Sequence, residues 1–334
     1  MKTILVTGGC GFIGSNFVCH VMSRYSDYRV INLDKLTYAG NPANLADLSE
    51  DARYRFVQGD ICDQETVDPL VQECDFVVNF AAESHVDRSI MGGAEFVQTD
   101  VYGTYVLLEC ARQHGVERFL QISTDEVYGS VEEGAWTESS PLEPRNPYSA
   151  SKASAELLVR AYHITHDLQT LVTRASNNIG PFQYPEKRVP LYIANAIDDE
   201  SLPMYGDGMQ VRDHLLVSDH CSAIDLVLHK GVVGEAYNIG GENDATGIDV
   251  AHAILSRLGK PESLIEFVKD RAGHDQRYAL DSSKVRALGW NPEFDFAAAM
   301  NQTIDWYVAN EPWWRQIKAS EEYRQYYERQ YKNR

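Results

Sequence analysis

A chain of 334 residues is long enough for about two domains and for burial of roughly three quarters of its unfolded surface, so it needs no disulfide or metal staple. A net charge of −19 excludes a phosphate-backbone-binding face, which must be basic, and so excludes nucleic acid as a partner. No apolar run approaches the ~20 residues of a membrane span, and the six scattered cysteines (Cys10, Cys19, Cys62, Cys74, Cys110 and Cys221) form no C-x-x-C pair and suit a reducing compartment.

Met1–Thr7 is apolar and β-branched, as in a strand buried on both faces of a parallel sheet. Gly9 and Gly11 interrupt any signal-peptide core, so a soluble, cytoplasmic protein is expected. Gly8 and then Gly9-x-Gly11-x-x-Gly14 supply a tight turn, close backbone approach to a pyrophosphate and close helix packing. The helix opening near Phe12 aims its first amides at the phosphates. Tyr28–Leu33 reads as a second strand ending in Asp34, and 34 − 14 = 20 is the spacing of an acidic residue that bonds the adenosine ribose. A carboxylate there repels a 2′-phosphate, which favours NAD over NADP, while the charge of neighbouring Lys35 favours the reverse.

Strand patterns at Arg55–Gln58, Phe76–Phe80, Phe119–Ser123 and Thr170–Thr173 alternate with helical ones such as Glu95–His114 and Ser149–His166. The expected fold is α/β, a Rossmann-type doubly wound parallel sheet with a smaller C-terminal substrate-binding lobe. Ligands of such sheets sit at the carboxyl ends of the strands. Asp34, Asp60, Ala81-Ala82-Glu83, Ser123-Thr124 and the run from Arg174 to Asn177 all fall there and should line one crevice.

Thr124-Asp125-Glu126 ends one of those strands, and Asn146-Pro147 signals a helix start just before Tyr148. Tyr148 and Lys152 lie one helical turn apart on one face. An ammonium beside a phenol lowers its pKa from about 10 toward neutrality and makes it a base for a hydroxyl proton as hydride leaves the same carbon. The adjacent carboxyls suit an elimination, one protonated and one charged, because close like charges push two pKa values apart.

From Gly180 the texture becomes rich in proline and loops. The chain is expected to divide into an NAD-binding domain over 1–179 and a discontinuous substrate-binding lobe over 180–334, with Val211–Val217 and Glu235–Ile239 as strands that return to the larger sheet. The aromatic tail from Glu311 reads as a terminal helix packed on its own lobe. His163, His166, His214 and His220 lack a matching Cys or carboxylate cluster, so no metal site is expected.

Together these residues resemble the extended short-chain dehydrogenase/reductase superfamily and, within it, the dTDP-glucose 4,6-dehydratases. The likeness spans essentially the whole chain, through the Gly8–Gly14 turn, Leu33–Asn41, Ala81–Ser89, Ser123–Gly129, Pro147–Lys152, Ser176–Pro181, Pro185–Lys187, Tyr237–Gly241 and Gly273–Asp275. The triplet is the specific part, since related 4-epimerases lack the acidic pair, and GDP-mannose dehydratases and glucuronate decarboxylases resemble a Thr-Ser-Glu version.

The resemblance implies a hydro-lyase that oxidises C4 of the hexose, eliminates water across C5 and C6, and returns the hydride to C6. In it Glu126 takes the C5 proton, Asp125 protonates the departing C6 hydroxyl, and Thr124 bonds the C4 oxygen and relays its proton to Tyr148, with Lys152 alongside. The implied cofactor contacts are Gly8, Gly11, Phe12, Ile13, Gly14, Asp34, Lys35, Thr37, Asp60, Ile61, Ala81, Ala82, Ser84, Thr99, Tyr148, Lys152 and Asn178. The implied nucleotide-sugar contacts are Ser84, His85, Thr124, Asn177, Lys187, Pro203, Tyr205, Arg212, Asn238, Arg271 and His274. As residues alone, Arg212 and Arg271 serve a diphosphate or a surface salt bridge equally well.

The resemblance also implies a homodimer through the 95–114 and 149–166 helices. Tyr102, Tyr105, Leu107 and Leu108 offer an apolar face for it, or pack on the sheet. Departures from the family pattern at Arg188, His214, Ala272, Gln276 and Glu242–Thr246 gather on the nucleotide side and leave thymidine against uridine open. Alternatives are a UDP-hexose 4,6-dehydratase or another nucleotide-sugar epimerase or dehydratase. A non-catalytic NAD-binding regulator is disfavoured by the retention of Asp125, Glu126, Tyr148 and Lys152.

Overall fold

A computed structural model of the chain describes residues 1–270 and 275–332. Arg271, Ala272, Gly273 and His274 lie outside the described residues. Among the described residues the twelve strands are β1 (Lys2–Thr7), β2 (Tyr28–Asp34), β3 (Tyr54–Gln58), β4 (Phe76–Asn79), β5 (Arg118–Thr124), β6 (Thr170–Ala175), β7 (Asn177–Ile179), β8 (Leu202–Tyr205), β9 (Val211–Leu216), β10 (Ala236–Ile239), β11 (Asp244–Thr246) and β12 (Ile265–Val268). Seven of them form one sheet in the order β10-β6-β5-β4-β1-β2-β3, every pair parallel. This is the doubly wound α/β architecture expected of the alternating pattern.

Register aligns the ligand-facing ends. Thr7 pairs with Leu33 and with Asn79, and Thr124 with Ala175. The chain winds from β1 toward β2 and β3 on one side and toward β4 on the other, so a crevice opens beyond β1 and β4. Five of the six residues of β1 and all six of β6 are buried, because helices cover both faces. On one face the Phe12–Arg24 and Val217–Lys230 helices pack Phe17, Val21, Ile224 and Val227 onto Ile4 and Leu120. On the other, the Gln64–Gln72 helix, a continuous helical run over 94–114 and the Pro147–His166 helix pack Val67, Leu107 and Val159 onto Leu5 and Phe119.

A separate core of Ile193, Leu202, Val250, Ile254, Ile304 and Trp314 defines the smaller lobe. Of the two strands expected to return to the large sheet, only one does. β10 pairs with β6, Ala236 opposite Val172, and occupies that edge. β9 instead pairs with β7 in parallel and with β11 antiparallel in a three-stranded sheet.

The tail also departs from expectation. It forms helices at Glu311–Lys318 and Glu321–Tyr327 with a further helical turn at Glu328–Lys332, and it does not pack on its own lobe alone. Trp313 donates to Asn44 at 2.9 Å, and Gln330 donates to Asp87 at 2.9 Å, both partners belonging to the large-sheet half.

Candidate active site

The glycine turn is shaped by close approach. Gly8 has φ +68°, and a Cβ there would lie 2.7 Å from the Ala81 amide nitrogen. A Cβ on Gly14 would lie 2.3 Å from the Gly8 carbonyl oxygen, below any real contact. The turn hands over to the Phe12–Arg24 helix through Gly11, which brings no side-chain cap, so its first amides face the crevice without a competing acceptor from Gly11. Asp34 ends β2 and is buried. Its oxygens accept from the Cys10 amide at 2.9 Å and the Leu36 amide at 2.8 Å, and each oxygen retains a lone pair for a ribose hydroxyl. Lys35 is paired with Asp60 at 2.7 Å, which answers its pull toward a 2′-phosphate. These residues fit NAD.

All seventeen expected cofactor residues line one cleft, together with Thr124, Asp125 and Glu126. A second cleft joins it at Glu126, Asn177, Asn178 and Lys187 and runs to His85, Pro203, Tyr205 and Arg212. Ser84 lies in the first. Asn238 lines neither. It is fully buried, accepts from the Tyr128 phenol at 2.8 Å and donates to the Trp136 carbonyl at 2.9 Å, which is the work of a packing hub. Arg212 is no surface residue. It is buried with its guanidinium 4.2 Å above the Tyr278 ring and donates to the Asp275 carbonyl at 2.7 Å. The expected contacts Arg271 and His274 lie outside the described residues.

The reacting cluster forms where β5 ends. Thr124 caps the short helical turn Asp125–Tyr128 by accepting from the Glu126 amide, and its hydroxyl donates to Asp125 at 3.1 Å. Asn146 donates to Glu126 at 3.4 Å while its oxygen caps the Pro147–His166 helix. That capping box with Ser149 fixes where the helix starts, and therefore where Tyr148 and Lys152 point.

Asp125 is buried, and burial, then the charge of Glu126, pushes its carboxyl up to about 8. It is therefore protonated at neutral pH, as the elimination logic required. Tyr148 behaves otherwise than expected. Burial, then the charges of Glu126 and Asp100, hold its phenol well above 10, and only its hydrogen bond with Thr124 works downward. Lys152 does not supply the expected depression. Its ammonium donates to the Ile122 carbonyl at 2.7 Å, and burial lowers its own pKa.

Asp100 is a member of this cluster that pattern reading missed. It accepts from Ser151 at 2.5 Å and from the Glu83 amide at 2.8 Å, and burial pushes it up to about 6. Its signal was an acidic residue inside the apolar stripe of the 95–114 helix, which pattern alone does not tell from a surface position. No group of three or more His, Cys, Asp or Glu able to hold a metal ion occurs among the described residues.

A parallel sheet with a glycine turn at its switch point and a Tyr-x-x-x-Lys helix beside a Thr-Asp-Glu turn defines a member of the extended short-chain dehydrogenase/reductase class. Residues 5–303 match the family model described as GDP-mannose 4,6 dehydratase, and the chain belongs to that family. It is 50% identical over 324 residues to a dTDP-glucose 4,6-dehydratase of Streptomyces niveus, covering 96% of each chain. It is 54% identical over 308 residues to the low-salt glycan biosynthesis protein Agl12 of Haloferax volcanii, covering 92% of this chain and 99% of that one. Among solved structures it superposes with a TM-score of 0.93 on DesIV, a dTDP-glucose 4,6-dehydratase of Streptomyces venezuelae with NAD and TDP bound. That pair is 49% identical, over 95% of this chain and all of the other.

Proposed function

We propose that the chain is an NAD-dependent dTDP-glucose 4,6-dehydratase, a hydro-lyase that converts dTDP-glucose to dTDP-4-keto-6-deoxyglucose. The observation that carries this is the juxtaposition of a carboxyl held protonated, Asp125, with Glu126 and Tyr148 in the cleft that the glycine turn closes. Relatives of that name match nearly the whole length. The glycine turn, Asp34 and Lys35 would hold NAD, which would supply a hydride acceptor for oxidation at C4, a hydride donor for reduction at C6 and a positive charge.

The chain's own residues do the rest. Tyr148 accepts the C4 hydroxyl proton through Thr124, whose hydroxyl bonds both Tyr148 and Asp125. The resulting ketone acidifies C5, and Glu126, at the junction of the two clefts, removes that proton and returns it to C5 once C6 has been reduced. Asp125 donates its proton to the C6 hydroxyl as water leaves. Lys187 and Arg212 supply cationic donors for the diphosphate in an otherwise acidic chain, and Lys187 is steadied on the Ser84 carbonyl at 2.5 Å.

With dTDP-glucose deuterated at C4, the label should appear at C6 of the same molecule. An epimerase would leave it at C4. Turnover of UDP-glucose at the rate of dTDP-glucose would replace thymidine specificity with the UDP-hexose reading. The departures on the nucleotide side include Arg188, whose guanidinium lies 3.2 Å from His214 in the second cleft, so that comparison is informative.

The same reading makes the enzyme a cytoplasmic homodimer. Among the described residues, no helix is long and apolar enough to cross a membrane. Leu107 and Leu108 are buried in the subunit core, but Tyr102, Tyr105 and Leu157 are exposed on the two helices expected to pair. Light scattering at a monomer mass would remove the dimer.

A further inference from the structure

Beyond residue 303, where the family match ends, the tail returns to residues that line the second cleft. The Tyr326 phenol lies 3.3 Å from His85 Nε2, and their rings meet edge to face at 5.4 Å. Gln330 is buried. Its amide nitrogen donates to Tyr205 Oη at 2.7 Å and to Asp87 Oδ2 at 2.9 Å. His85, Asp87 and Tyr205 all line the second cleft, whereas Tyr326 and Gln330 do not.

These lining residues come from distant parts of the chain, His85 and Asp87 from the start of the Val86–Met91 helix and Tyr205 from the end of β8. One amide therefore ties the two segments together. Arg88 reinforces the tie. Its guanidinium lies 3.7 Å over Tyr38 and 4.8 Å over Tyr326, and it pairs with Glu186 at 3.0 Å. Because Gln330 makes both bonds from one nitrogen, it fixes the separation of Asp87 from Tyr205 as well as the direction of each side chain.

We infer that Tyr326 and Gln330 are positioning residues, which set the spacing of His85 and Tyr205 for the nucleotide end of the substrate. The inference rests on the nucleotide-sugar reading above. Its consequence falls on binding, since neither residue lines the cleft that holds Asp125, Tyr148 and the glycine turn. Loss of a buried hydrogen-bond donor that orders a subsite should weaken binding about ten-fold.

The full-length protein carrying Gln330→Ala should bind dTDP by calorimetry about ten-fold more weakly, with KM for dTDP-glucose raised in proportion and kcat within about twofold of wild type. Tyr326→Phe, which keeps the ring contact and loses only the hydroxyl, should weaken dTDP by about threefold. Bound NAD and the transfer of deuterium from C4 to C6 should be unchanged in both. Wild-type affinity for dTDP in both folded variants would overturn the inference, and so would a fall in kcat or NAD content that matched the loss of affinity. Wild-type protein that bound dTDP but failed to turn over the sugar would sink the catalytic reading instead, and the ratio of dissociation constants would still decide this one.

Discussion

Asp125 and Tyr148 sit in the same buried space and respond to it in the same direction, with opposite consequences. Burial and the neighbouring charge of Glu126 raise both. A carboxyl so raised becomes a usable acid. A phenol so raised needs a cation to become a base, and Lys152, engaged with the Ile122 carbonyl, does not provide it from within the chain. Asp125, pushed up to about 8, is the proton donor below that pH and loses its proton above it. The elimination should therefore slow as pH rises beyond about 8. Asp125→Asn should lower kcat by about 100-fold or more and abolish that alkaline limb, while C4 oxidation in a single turnover persists. An unaltered pH profile in the variant would assign the limb to another group. At the glycine turn, Gly14→Ala puts a methyl 2.3 Å from the Gly8 carbonyl. Because the obstacle is backbone, NAD affinity should fall at least about ten-fold, read by the NAD content of purified protein. Sequence alone carried both residues, through a triplet and a glycine spacing. It could not carry the direction of the Tyr148 shift, which depends first on burial and then on the charges of Glu126 and Asp100, the last far off in sequence and brought close by the 94–114 helical run.

At the scale of elements, the Phe12–Arg24 and Val217–Lys230 helices are tied by Asp225 as well as by apolar packing. The Asp225 carboxylate meets His20 at 3.0 Å, His229 at 2.9 Å and the Tyr25 phenol at 2.9 Å. Burial opposes its ionisation, but the hydrogen bonds from His20, His229 and Tyr25 win and hold it below its ordinary range. His229 moves the other way, raised by its bond to Asp225 against burial. A histidine raised on folding adds stability that is complete below the unfolded value of about 6.5 and is lost as pH climbs through the folded value. Melting temperature should therefore decline on the alkaline side of about pH 6.5. Asp225→Asn should lower the melting temperature at neutral pH and flatten that slope, with equal slopes in both proteins counting against the clamp. The helices themselves were legible from their period. Their partnership was not, because His20 and Asp225 are separated by 205 positions.

The whole molecule carries a net charge of −19, and the positive side chains that do occur are largely engaged, as in Lys2 with Asp75, Arg257 with Asp305 and Lys318 with Asp198. The excess carboxylates repel one another across the surface, and at 1 M salt the screening length shrinks to about 3 Å. Raising sodium chloride from dilute buffer to about 1 M should therefore raise the melting temperature by a few degrees. A flat or falling response in scanning calorimetry would show that surface ion pairs outweigh the repulsion.

The amino-acid order determined the local chemistry. A buried β-branched run, a glycine turn and an acidic residue at fixed spacing made the nucleotide half readable, because each depends on neighbours within a few turns. Tyr148 and Lys152 were readable for the same reason. The tertiary structure alone decided which distant groups share a space. It took β10 into the large sheet and gave β9 to the smaller one. It withdrew Asn238 into a packing network, set Asp100 against Ser151 and Lys152, and sent the tail across to His85 and Asp87. Each of those outcomes depends on which buried polar groups find partners once two surfaces close, and that competition has no period or spacing in the sequence to announce it.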